Sequence, residues 1–177
     1  MILIREIENN EIEKIGEIQR EEEILGYYKL KDGALTVIEN YEHVYSFDAD
    51  ELADIMNRQR KIKSEGGAVI GVFDDEKMVG VASVENKRRG MEMNYCKMDI
   101  LYLSNNYRQL GLGGRLVDES KMAARKFGAS KLYISATPTI NTVDFYLRLG
   151  AVMTKELDLE LYQKEPDDIH LELGTGL

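Results

Sequence analysis

Apolar positions along the chain change period more than once, and each change predicts an element. Ile2, Ile4 and Ile7, set among Leu3 and Arg5, predict a short strand over residues 2–7. Ile12, Ile15 and Ile18 recur at helical spacing through an acidic stretch, which predicts a helix ending at Gly26. Residues 27–47 carry tyrosines together with Leu35, Val37, Ile38, Val44 and Phe47, a pattern that fits either a hairpin or an irregular loop. A helix capped by Asp50 follows, with Leu52, Ile55, Met56, Gln59 and Ile62 on one face and a stop at Gly66-Gly67.

From Ala68 the period becomes extended. Residues 68–73 and 78–84 predict two antiparallel strands joined by Asp74-Asp75-Glu76-Lys77. Lys87-Arg88-Arg89-Gly90 reads as a second turn, its three cations a solvated tip. Residues 92–103 complete a meander of three strands. Beyond it, Leu112, Leu116, Ala123 and Phe127 mark an amphipathic helix stopped by Gly128. A short strand at 131–135 and a helix at 138–149 closed by Gly150 come next. A strand, helix and strand in that order, with the usual right-handed crossover, make the strand at 131–135 parallel to the one ending at Leu103. Residues 151–161 and 169–173 read as closing antiparallel strands separated by Glu165-Pro166-Asp167-Asp168. The sum is a mixed α/β sheet with helices on both faces.

The most informative junction lies where the third meander strand meets the long helix. Arg108-Gln109-Leu110-Gly111-Leu112-Gly113-Gly114-Arg115 is a glycine-rich turn running into a helix start. A helix start leaves about four backbone N–H groups without partners and carries roughly half a positive charge, so an anion placed there satisfies both. Gly111 and Gly113 permit close approach, and Arg108 and Arg115 can add charge-assisted hydrogen bonds. Two common phosphate motifs do not fit. Leu116 stands where a dinucleotide fingerprint needs glycine, and Gly113-Gly114-Arg115 stands where a P-loop needs Gly-Lys-Ser/Thr.

Composition narrows the reading. The 177 residues suit one domain with a substantial core, and 44% hydrophobic with 31% charged residues is the balance of a globular protein. No apolar run is long enough for a membrane helix, and the N-terminus lacks a signal peptide's basic region. The lone Cys96 cannot form an internal disulfide, in keeping with a cytoplasmic setting. A net charge of −9 argues against nucleic acid and favours a cationic partner. His43 and His170 have no metal-ligand spacing, so no metal is expected.

The turn resembles the acyl-coenzyme A site of the GNAT superfamily of N-acetyltransferases, whose signature Gln/Arg-x-x-Gly-x-Gly/Ala is met by Arg108-Gln109-Leu110-Gly111-Leu112-Gly113. The order of elements over residues 67–173 matches that fold, a mostly antiparallel sheet with a splayed central parallel pair. A second segment, residues 141–151, is similar to the family's Asn-x-x-Ala-x-x-Phe-Tyr-x-x-x-Gly-Phe, departing at Val143, Asp144 and Ala151. The resemblance implies acetyl-CoA as co-substrate, its pyrophosphate on residues 108–115 including Gln109, Leu112 and Gly114. It implies pantetheine along the backbone of Leu101 and Leu103, a cofactor contact from Asn141, and Tyr146 as the acid that protonates the leaving thiolate.

Asp99-Ile100-Leu101-Tyr102-Leu103 resembles the Glu-Asp-Leu-Tyr-Val of spermidine/spermine-type and antibiotic-type enzymes. That places Asp99 as the group receiving the amine, on the same face as Leu101 and Leu103, with Glu92 or a water chain as alternatives. The implied reaction is direct acetyl transfer to a primary amine, small-molecule or protein. The second reading is a catalytically idle acyl-CoA-binding domain. Residues 1–66 are the expected acceptor side, and a homodimer stays open.

Overall fold

Near-continuous apolar runs let the central strands bury both faces, and the computed structural model, which describes residues 1–177, builds one seven-stranded sheet around them. Its strands are β1 (Ile2–Glu6), β4 (Ala68–Asp74), β5 (Lys77–Arg89), β6 (Tyr95–Leu103), β7 (Lys131–Ala136), β8 (Val152–Met153) and β9 (Ile169–Gly174), in the order β1-β4-β5-β6-β7-β9-β8. Only β6 and β7 are parallel; every other neighbouring pair is antiparallel.

Successive residues go to opposite cores, as a pleated strand requires. Ile70, Val72, Ala82, Val84 and Met98 pack with Leu116 and Val117 of α2 (Leu112–Lys126) and with Val143 and Tyr146 of α3 (Ile140–Arg148). Val69, Phe73, Val81 and Ile100 pack on the other face with Ile12, Ile15, Ile55 and Ile62. The last two belong to α1 (Ala49–Ser64).

Several expectations are corrected. Ile12, Ile15 and Ile18 do not start a helix reaching Gly26: they sit on or just after a 3-10 helix over Asn9–Glu17, whose three residues per turn suit a strict spacing of three. The chain then enters β2 (Glu22–Lys31), which pairs with β3 (Ala34–Val44) in a hairpin of its own turning at Asp32-Gly33, both at positive φ. Gly26 is a strand residue, required because a Cβ there would meet the Ile38 carbonyl oxygen at 2.6 Å. The cap of α1 is Asp48, whose carboxylate accepts from the N–H groups of Asp50 and Glu51. Most of residues 151–161 is not strand: after the two residues of β8, Asp158 caps a short helix α4 (Leu159–Lys164). The cations at 87–89 are not a solvated tip throughout, because β5 runs through them. Arg89, 7% exposed, is paired with Glu85, Asp158 and Glu160 at 3.2–3.4 Å.

Two irregularities shape the centre of the sheet. β6 and β7 pair only from Tyr95–Lys131 to Met98–Ile134, and beyond that point the ladder stops although both strands continue. Ala82 pairs with Leu101 but Val84 with Met98, so β6 holds one residue more than β5 opposes, a bulge at residues 99–100. The hairpin approach crosses this opening. Ser104 Oγ accepts from Gln19 N at 2.9 Å, Asn105 N donates to the Gln19 carbonyl at 3.0 Å, and Tyr28 N donates to the Pro138 carbonyl at 2.7 Å.

Candidate active site

The turn after β6 is built as an anion cradle. A single 3-10 turn (Asn105–Tyr107) leads to Arg108, whose Nε donates to the Leu103 carbonyl at 3.2 Å. Gln109 and Gly111 take φ of 62° and 77°, and Gly111 caps α2 without any side chain satisfying the helix start. The backbone N–H groups of residues 109–114 donate to no protein acceptor. Neither Arg108 nor the exposed Arg115 has a carboxylate partner, although acids outnumber bases 32 to 23 in the chain. A row of free N–H groups with two unpaired guanidiniums fits the phosphates of a coenzyme A thioester.

The glycines divide between two jobs. A Cβ at Gly111 would meet nothing within 4 Å, so that position is glycine for its backbone angle and stays open. A Cβ at Gly113 would stand 3.0 Å from the Phe145 ring, so its missing side chain lets α2 approach α3. Gly114 has only Leu149 in range, at 3.8 Å.

The profile of the acetyltransferase (GNAT) family matches residues 34–151, two thirds of the chain, with the cradle inside it. The chain belongs to the GNAT acetyltransferase family. Solved structures repeat the fold over nearly the whole length. A nourseothricin acetyltransferase is 15% identical with a TM-score of 0.73, each chain covered to 98%. A Bacillus anthracis protein assigned as a streptothricin acetyltransferase, solved with acetyl coenzyme A, is 18% identical with a TM-score of 0.72 and 98% coverage of both chains. The PaiA N-acetyltransferase of Thermoplasma acidophilum, solved with coenzyme A, is 16% identical with a TM-score of 0.62, covering 98% of this chain and 99% of its own. No curated protein matches in sequence.

Within this acetyltransferase the expected residues fall into three groups. Leu101 and Leu103 lie on β6 past the point where it leaves β7 and pack toward the α2 and α3 core, beside the cradle. Asn141 is exposed on α3. It does not cap that helix, which Thr139 does; its Nδ2 donates to the Glu23 carbonyl at 3.0 Å, tying α3 to β2. Tyr146 projects from α3 into the same core and is 6% exposed. Its hydroxyl bonds to no protein group and keeps slight contact with solvent. Burial, and secondarily the nearby Tyr102, push its pKa up, keeping it protonated at neutral pH.

Asp99 is elsewhere. The bulge turns it and Ile100 together to the α1 face, away from Leu101 and Leu103, which corrects the face expected from simple alternation. There its carboxylate, 3% exposed, accepts from Lys97 Nζ at 2.9 Å, Gln59 Nε2 at 2.9 Å and Arg58 Nε at 3.2 Å. Burial alone would raise its pKa, but the Lys97 and Arg58 charges and the bonds from Lys97 and Gln59 outweigh it and hold it down. Glu92 is exposed in the turn before β6, at the end of the strand far from the cradle. Cys96 is buried, its thiol pushed up to about 11 by burial, which suits packing rather than nucleophilic attack.

A cleft of about 470 Å³ joins the cradle to the N-terminal part of the chain. It is lined by Arg108 and Asn105 at the cradle, Asn141 at the start of α3, Glu22, Glu23 and His43 from the hairpin, and Glu21 just before it. Neither Tyr146 nor Asp99 lines it. The sequence marked Arg108 and Asn141 but gave no motif for the acids opposite them. Gln59, a polar residue in the apolar stripe of α1, is fully buried against the Asp99 carboxylate.

Proposed function

We propose that the protein transfers an acetyl group from acetyl-CoA to a primary amine by direct attack on the thioester. The observation that carries this reading is the cradle: six consecutive free backbone N–H groups and two unpaired arginines at the mouth of a parallel pair that stops pairing just where a pantetheine arm would need a partner. Residues 108–115 would hold the pyrophosphate, and the β6 backbone at Leu101 and Leu103 would bond the arm like an added strand.

Acetyl-CoA supplies an activated acyl group; the chain's residues align it and manage protons. Tyr146, protonated and with a free hydroxyl, is the group that gives a proton to the departing thiolate. Asp99 enters as the anchor of an ionic cluster that fixes Lys97 and Arg58 on the acceptor face, its three donors leaving little capacity to take a proton. The carboxylates of Glu21, Glu22 and Glu23 in the adjoining cleft, together with the net charge of −9, favour a cationic acceptor. Release of free thiol from acetyl-CoA on adding a panel of polyamines, lysine derivatives and antibiotic amines tests this reading; thiol release that no amine accelerates overturns it.

A further inference from the structure

Where β6 and β7 part, the face of the sheet turned away from α2 presents a polar residue on each side. The register that pairs Met98 with Ile134 brings Asp99 and Ser135 next, at the point where pairing stops. Ser135 lies on this face because its neighbours Ile134 and Ala136 both point into the α2 and α3 core. On the β6 side the carboxylate is closed off by three donors. On the β7 side the arrangement is open. Ser135 Oγ donates to Asp168 Oδ2 at 2.8 Å, Asp168 is only partly buried, and it has no cation within ion-pair distance. Its other oxygen, Oδ1, accepts from no protein group and is not sealed.

We propose that Asp168, held by Ser135 at the mouth of the splay, is the carboxylate that receives the acceptor's ammonium group and takes its proton. This assignment rests on the acetyl-transfer reading above. An N–H bond of the ammonium breaks and the proton goes to Oδ1. The electron pair left on nitrogen forms the C–N bond to the thioester carbonyl, and the C–S bond breaks with its pair going to sulfur, which Tyr146 protonates. The nitrogen's second proton replaces the one Tyr146 gives up, and Asp168 hands the first to solvent, so one proton is released per acetyl group moved. The surroundings suit a base. Burial pushes the Asp168 pKa up; the Ser135 hydrogen bond opposes this, Glu165 adds to it, and His170 and Lys97 oppose it, with a net upward shift. Glu11, Glu13, Asp74, Asp99, Glu160 and Glu172 all shift the other way.

The test is the pH profile of kcat/KM with acetyl-CoA and three amine probes, spermidine, cadaverine and lysine amide, beside thermal unfolding at neutral pH. Asp168→Asn is expected to lower kcat/KM for the amine by about 100-fold, leave KM for acetyl-CoA unchanged and remove the acid limb of the profile. Its Tm should hold or rise, since a charge in an unfavourable setting is replaced by a neutral group. Ser135→Ala removes a bond that lowers the Asp168 pKa, so the acid limb should move to higher pH. An Asp168→Asn variant with wild-type rate and limb overturns the proposal. So does one that loses Tm and rate together while the limb stays, because that marks a structural role. A wild-type enzyme inert toward every probe while still binding acetyl-CoA overturns the transfer reading itself, a result distinct from either.

Discussion

Placing a negative charge at Gly114 tests the cradle without disturbing the fold. Gly113 is a poor choice because its Cβ would press on Phe145, whereas at Gly114 the nearest atom is 3.8 Å away. Gly114 lies in the first turn of α2, where a carboxylate is favourable to the helix by about 0.3–1 kcal/mol, so Gly114→Glu should fold at least as well as the parent. The bound phosphates feel the opposite effect. At about 5 Å and an effective dielectric of about 20, two like unit charges repel by about 3 kcal/mol, a weakening on the order of 100-fold. At free acetyl-CoA one hundred times its parent Kd, the stabilisation of the folded state should fall from about 2.7 kcal/mol to about 0.4 kcal/mol. For a chain of this size that is a ligand-induced Tm shift of roughly 5–11 °C reduced to roughly 1–2 °C. Differential scanning fluorimetry reads it, with Gly114→Gln separating bulk from charge. A Gly114→Glu protein that keeps the full shift refutes the placement of the anion on this helix start.

Tyr146→Phe removes one unbonded oxygen, so kcat should fall by about 10²–10⁴-fold with acetyl-CoA affinity nearly unchanged; stopped-time thiol assays and equilibrium titration check the two halves. Asp99→Asn should destabilise the fold at pH 7 by about 2–3 kcal/mol, because Lys97 and Arg58 lose their shared carboxylate but keep Glu85 and Asp54. The Asp99 pKa is held down in the fold, so its contribution is complete above the unfolded value of about 3.9 and is lost as pH falls below it. Urea unfolding of parent and variant should therefore converge on acidification, and a gap that stays constant down to pH 3 contradicts the ionic role.

Local pattern carried most of the core. Near-continuous apolar runs at 68–73 and 78–84, broken by the polar turn 74–77, and the apolar stripe of α2 located the central strands and the long helix, because those strands bury both faces and the helix one. Misreadings came where tertiary contacts override pattern. The Glu21-Glu22-Glu23 run extends a helical reading on paper, but those residues leave the 3-10 helix to line a cleft with Arg108 and Asn141, which lie more than 80 residues away. Arg89 looks solvated until α4 supplies Asp158 and Glu160. Asp99 looks co-facial with Leu101 until one extra residue in β6, invisible without its partner strand, turns it over. Asp168 sits in a stretch legible only as a turn, and its pairing with Ser135 depends on β9 lying beside β7.

Acetyl transfer to an amine is read from the fate of the acetyl group itself. Incubating the protein with carbonyl-labelled acetyl-CoA and the amine probes, then identifying products by mass spectrometry, follows the label from thioester to acceptor. Acetyl transfer predicts labelled N-acetyl amine in amounts matching the free thiol released, and a loss of both in Tyr146→Phe. Label that remains on acetyl-CoA, or appears only as free acetate whichever amine is present, contradicts it.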